Sequence, residues 1–114
     1  MAGQRMRRVN EAVREVLSET LAGGLKDPRI GFVTVVSVET SPDLRSAKVY
    51  VSVLGDDEEQ EKTLEGLAHC HGYLQSRLAG QLGMKHTPQL TFVRDESIEH
   101  GLRIEKLLKE IEEQ

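Results

Sequence analysis

Residues 46–54 alternate with a period of two, and that pattern leaves the chain few ways to fold. Ala47, Val49, Val51 and Val53 face one way; Ser46, Lys48, Tyr50 and Ser52 face the other. Such alternation is a strand with one buried face. Upstream, Ile30, Phe32, Val33, Val35, Val36 and Val38 make residues 30–39 a second strand. Its β-branched, apolar content predicts cover on much of both faces. The turn signal Ser41-Pro42-Asp43 separates the two. With so short a connection, the strands pair as an antiparallel hairpin.

Helical patterns bracket this hairpin. Val9, Val13, Val16, Leu17 and Leu21 recur at helical spacing and predict an amphipathic helix over 5–22, with Arg7, Arg8, Glu11, Arg14 and Glu15 mostly outward. Gly23-Gly24 stops it, and Asp27-Pro28 marks a turn. After the hairpin, the acidic run from Gly55 to Glu59 leads into a helix, where negative charge suits the positive end of the dipole. Leu64, Leu67, Ala68 and His71 form one apolar face, and Leu74, Leu78 and Leu82 continue it. Gly72 interrupts, which predicts two helices joined at a kink near Gly72. Pro88 closes this region. Leu90 and Phe92 then alternate with Thr91 and Val93 in a strand over 89–94. Asp95 or Ser97 can cap a last amphipathic helix over about 97–112, carrying Ile104, Leu107, Leu108 and Ile111.

The order helix, strand, strand, helix, helix, strand, helix predicts an α+β fold, with helices on one face of a three-stranded sheet. The length of 114 residues fits a single domain over 1–114, its core at about 5–96. Trp is absent, so Val, Leu, Ile and Ala must fill the core. The lone Cys70 has no partner for an internal disulfide, which points to a reducing compartment. No apolar run approaches the roughly 20 residues of a membrane span, and the N-terminus lacks a signal peptide's apolar core. A soluble cytoplasmic protein is expected.

A net charge of −4 argues against a nucleic-acid partner, but its distribution argues for one. Residues 71–94 carry Arg77, Lys85 and Arg94 and no acid at all. Arg5, Arg7 and Arg8 make the N-terminus basic, and Arg29, Arg45 and Lys48 lie on or beside the hairpin. Local potential, not net charge, governs contact with phosphate. Candidate RNA-binding residues are therefore Arg7, Arg8, Arg45, Lys48, Arg77, Lys85 and Arg94. Tyr50 either stacks on a base or covers the sheet beneath the last helix.

No catalytic constellation appears: no Walker loop, no HEXXH helix, no nucleotide fingerprint. His69, Cys70 and His71 are consecutive, so on a helix they point about 100° apart and hardly ligate one ion. His71 reads instead as a packed histidine at the kink. No enzyme activity, metal, cofactor, membrane or small-molecule substrate is expected.

Two helices meeting at a kink between strands form the core of a KH domain. Ordinary KH domains join those helices by a GXXG loop that clamps the nucleic-acid backbone. The literal GXXG here, Gly80-Gln81-Leu82-Gly83, lies too close to the strand at Gln89 to precede a second helix, so these glycines end a helix. The segments RVNEAVREVLSETL, DPRIGFVTVVSVETSPDL, AKVYVSV and GYLQSRLAGQLGMKHTPQLTFVRDESIEHGLRIEKLL resemble, in order and over almost the whole chain, the ribosome-binding factor A family. That family has a type II KH order in which an Ala-x-Gly kink replaces the loop. Cys70-His71-Gly72 stands at the matching place, with Cys70 where the family usually has Ala. The resemblance implies a monomer that binds the free 30S subunit, contacts 16S rRNA and assists late maturation, including 5′-end processing. It also implies a link to growth in the cold. The residues alone leave another class open: a small protein-interaction or homodimerising module using an exposed strand edge.

Overall fold

The computed structural model describes residues 2–95; the expected helix over 97–112 and its cap lie outside the described residues. Six elements follow in order: α1 (Ala2–Ala22), β1 (Val33–Thr40), β2 (Ser46–Val53), α2 (Asp57–His69), α3 (His71–Leu82) and β3 (Gln89–Arg94). The sheet order is β1-β2-β3. β1 and β2 form the expected antiparallel hairpin. β3 lies parallel to β2 on its other side, Ser46 opposite Gln89 and Val51 opposite Arg94. A parallel neighbour needs a long crossover, and α2 and α3 supply it.

One face of the sheet carries the core. Val35, Val38, Ala47, Val49, Val51, Val53 and Leu90 pack with Val13 and Leu17 of α1, Leu67 of α2, and Leu74 and Leu78 of α3. The expectation that β1 is covered on much of both faces fails: Thr34, Val36, Ser37 and Glu39 are exposed, and Phe32, outside the strand, is 70% exposed. A register shift between Val35 and Ser37 explains the apolar run. The extra residue lets Val35 and Val38, three apart, both point inward, while Val36 turns out.

The helices hold one further departure. Ala68, expected on the apolar face of α2, is exposed; Gln60, Thr63 and Gly66 are buried beside Leu67. The polar pair is satisfied. Gln60 Nε2 donates to Gly55 O at 2.8 Å, and Thr63 Oγ1 donates to Glu59 O at 3.0 Å. Gly66 is required by contact: a Cβ there would sit 2.6 Å from Ile30 Cγ1. The kink falls within the expected Cys70-His71-Gly72 segment. The residue outside both helices is Cys70, at φ −86° and ψ 7°, while Gly72 is already the second residue of α3. Gly83 ends α3 in the left-handed conformation, φ 60°, and Gly80 sits within the helix.

Candidate nucleic-acid interface

The kink is a one-residue break in otherwise continuous helical bonding. Cys70 N–H donates to Gly66 O, and Leu74 N–H donates to Cys70 O, each at 3.0 Å. Three side-chain bonds then lace α3 to the start of β3. His71 Nε2 lies 3.0 Å from Leu90 O, a bond that requires the Nε2-protonated tautomer. Gln75 Nε2 donates to Pro88 O at 2.6 Å, and its Oε1 accepts from Leu90 N–H at 3.2 Å. His71 is thus the half-buried, packed histidine that its place on the apolar face predicts.

A groove of about 920 Å³ opens beside the kink. Leu25, Lys26 and Arg29 from the α1–β1 linker line one side; Cys70, Gly72 and Tyr73 line the other. A Cβ on Gly72 would meet nothing within 4 Å, so the backbone there is bare. Tyr73 is 55% exposed. Arg29 is held firmly: its Nε and Nη2 donate to the two Asp27 carboxylate oxygens at 3.0 and 2.7 Å. The Asp27 carboxylate also accepts Arg29 N–H at 2.9 Å. These bonds, the guanidinium's first, lower the Asp27 pKa from 3.8 to about 2.

A second, smaller groove of about 330 Å³ lies where Arg5, Arg45, Lys85 and His86 converge with Asp43 and Met84. Asp43 accepts from Ser41 Oγ at 2.6 Å and Arg45 N–H at 3.0 Å, and these bonds hold its pKa below the usual value. The start of α1 meets the end of α3 here, while the end of α1 meets the start of α3 at the kink groove. The two helices therefore run antiparallel, with a groove at each end.

The candidate cations divide accordingly. Arg45 and Lys85 are brought together, joined by Arg5 and His86. Arg77 is exposed on α3 between the two grooves, and Arg7 and Arg8 are exposed on α1. Lys48 is exposed on the outer face of β2, away from the helices. There Tyr50 donates to Glu39 Oε2 at 3.1 Å, a bond that raises the phenol's pKa. Arg94 points to the helix side, where Nη1 donates to Gln60 Oε1 at 2.9 Å and lies 3.6 Å from Asp57. Sequence reasoning passed over Tyr73 and Lys26. The signal for Tyr73 was available: a large aromatic one position off the Leu74–Leu78–Leu82 stripe must face outward.

The sequence profile of the family described as Ribosome-binding factor A matches residues 5–108. Ribosome-binding factor A of Halothermothrix orenii is 44% identical over 114 residues, covering all of this chain and 93% of the relative. The crystal structure of ribosome-binding factor A from Thermus thermophilus superposes with a TM-score of 0.72 at 26% identity, covering 81% of this chain and 97% of that one. A homology model of the Thermus thermophilus protein, as fitted into a cryo-electron microscopy map of a 30S–RbfA complex, gives 0.62 at 28% identity, covering 75% and 89%. A profile match over residues 5–108, a relative of 44% identity and the type II KH order agree: the chain belongs to the ribosome-binding factor A family.

Proposed function

We propose that this chain is a non-enzymatic, monomeric cytoplasmic factor, one KH-like domain over 1–114, that associates with the free 30S subunit. It contacts 16S rRNA and assists late maturation, including processing of the 5′ end. The observation that carries this reading is the placement of the acid-free span. Arg77 stands exposed on α3, and Lys85 stands at its exit beside Arg5, Arg45 and His86. Family membership and the Thermus relative fitted into a 30S map support it.

Phosphate contacts supply affinity, and RNA shape supplies selectivity. The factor holds rRNA in a conformation that permits maturation and leaves when that conformation is no longer favoured, because a ligand shifts an equilibrium only by its differential affinity. The test is co-sedimentation with purified free small subunits over a salt series. Contacts by Arg5, Arg45, Arg77 and Lys85 predict that log affinity falls against log salt with a slope of about 3. Association indifferent to salt contradicts phosphate contact as the main source of affinity.

One observation favours a second reading, a protein-interaction module. Phe32 and Leu54 are 70% and 74% exposed, and they sit side by side, Leu54 N–H donating to Phe32 O at 3.1 Å. Co-sedimentation that survives ribonuclease treatment would favour it.

A further inference from the structure

We propose that the amphipathic segment 97–112 of this same chain packs as a helix on the outer face of the sheet and covers Phe32 and Leu54. Val33 and Val53 pack on the core, so by alternation their neighbours Phe32 and Leu54 point the other way. Leu54 N–H donates to Phe32 O, which sets the two side by side at the end of the hairpin remote from its turn. They are the 74% and 70% exposed pair noted above. Val36, turned out by the bulge, is exposed on the same face. Among the described residues, three of the four large exposed apolar side chains therefore share one face; Tyr73 is the exception. Leu90 and Phe92 pack on the core, so Val93 faces outward, where it neighbours half-buried Tyr50 across the strands.

The path of the chain identifies the occupant. β3 runs parallel to β2 and ends beside Val51, where Asp95 N–H donates to Val51 O at 2.8 Å. Leu54 lies three residues further along, about 10 Å away at the rise of a strand. Leu54 and Asp95 line one groove of about 210 Å³. The chain thus leaves the sheet at the end that carries the exposed pair. Nine residues lead from Asp95 to Ile104, a span of about 13 Å even when coiled as a helix, so the stripe reaches the pair. Ile104, Leu107, Leu108 and Ile111 form an apolar stripe about 10 Å long on a helix, and such a stripe needs an apolar surface to bury against. The other face of the sheet is already filled by α1, α2 and α3. Charge agrees with the outer face. Residues 95–114 hold seven carboxylates and three cations. Packed outside the sheet, they stand away from Arg77 on α3 and do not compete with phosphate for it. The packing also removes from the surface an apolar pair that would otherwise invite a second copy or another protein.

The chain has no Trp, so Phe32→Trp places a single reporter in the patch of the full-length protein. Its emission should be that of a shielded indole and should not change on dilution. Adding Leu107→Asp and Leu108→Asp should shift the emission to the red and raise its quenching by acrylamide. Unchanged emission and quenching in that variant overturn the proposal. A red shift on dilution assigns the patch to a second copy and overturns it too. So does an indole that is exposed in the free chain and becomes shielded only when small subunits are added. The unaltered chain gives a second measurement that no variant's folding can confound. Nuclear Overhauser contacts should join the Phe32 ring to methyl groups of Ile104, Leu107, Leu108 or Ile111, and their absence contradicts the packing. A stability cycle completes the test. If Leu54 and Leu108 touch, Leu54→Ser and Leu108→Ser together should lose less than the sum of their separate losses. Strictly additive losses overturn the contact.

Discussion

The Asn10 carboxamide oxygen accepts two hydrogen bonds from Thr40, one from its backbone N–H at 2.9 Å and one from its hydroxyl at 2.6 Å. Asn10 lies on α1 and Thr40 is the last residue of β1, an edge strand. The contact pins helix to sheet across 30 residues and covers an edge N–H that would otherwise invite another strand.

Asn10→Ala should therefore cost about 1–3 kcal/mol, since Thr40 is buried and loses a partner for two donors. Urea denaturation measures this. Asn10→Asp keeps an acceptor of the same shape and should cost less. A neutral Asn10→Ala would mean that Thr40 finds water or another acceptor.

The glycines of the helical region should behave oppositely. Gly66→Ala forces a Cβ to 2.6 Å from Ile30 Cγ1 and should destabilise by about 1–3 kcal/mol. Gly80 sits exposed within α3 with open space where a Cβ would go, so Gly80→Ala should stabilise by up to about 1 kcal/mol. Gly72→Ala meets nothing either, and should leave thermal stability intact. A Gly66→Ala protein as stable as the parent would contradict the packing of α2 on the linker.

The Asp27–Arg29 fork predicts a pH dependence. The Asp27 pKa lies at about 2 when folded, below its ordinary 3.8. A carboxylate with a depressed folded pKa stabilises fully above its unfolded value and loses that contribution as pH falls through the folded one. Stability from this fork should thus be constant above about pH 4 and fall between about pH 4 and 2. Asp27→Asn should remove that part of the acid dependence while lowering stability at neutral pH. Chemical denaturation midpoints across the window measure both; an unchanged acid slope in Asp27→Asn would contradict the fork's role.

Much of this was legible in the chain because period and punctuation act locally. The alternation at Ala47–Val53 and the turn at Ser41–Asp43 specify a hairpin before any tertiary contact forms. What stayed hidden depends on contacts distant in sequence. The Val36 bulge hides because an extra residue makes a one-sided strand read as apolar on both faces. Thr63 looks like a solvated helix residue, yet its hydroxyl meets Arg29 O at 3.3 Å and accepts Gly31 N–H at 3.3 Å. Gly72 looks like the cause of the kink, but the departing backbone is that of Cys70. The candidate cations were legible as a set and not as a surface. Arg94 reads like Arg77 in the sequence, and only the fold shows it bonded to buried Gln60.

That contrast frames the most direct test of the proposed RNA surface. Arg77 and Lys85 are exposed, so the double variant Arg77→Glu, Lys85→Glu should melt within a few degrees of the parent. Arg94→Ala, by comparison, removes a charge-assisted bond and should cost about 1.5–3 kcal/mol. The deciding measurement is co-sedimentation of the folded double variant with free small subunits at low salt. Two phosphate contacts become two repulsions, and association should weaken about tenfold or more. A double variant that melts normally and still sediments with subunits as the parent does would contradict binding along α3.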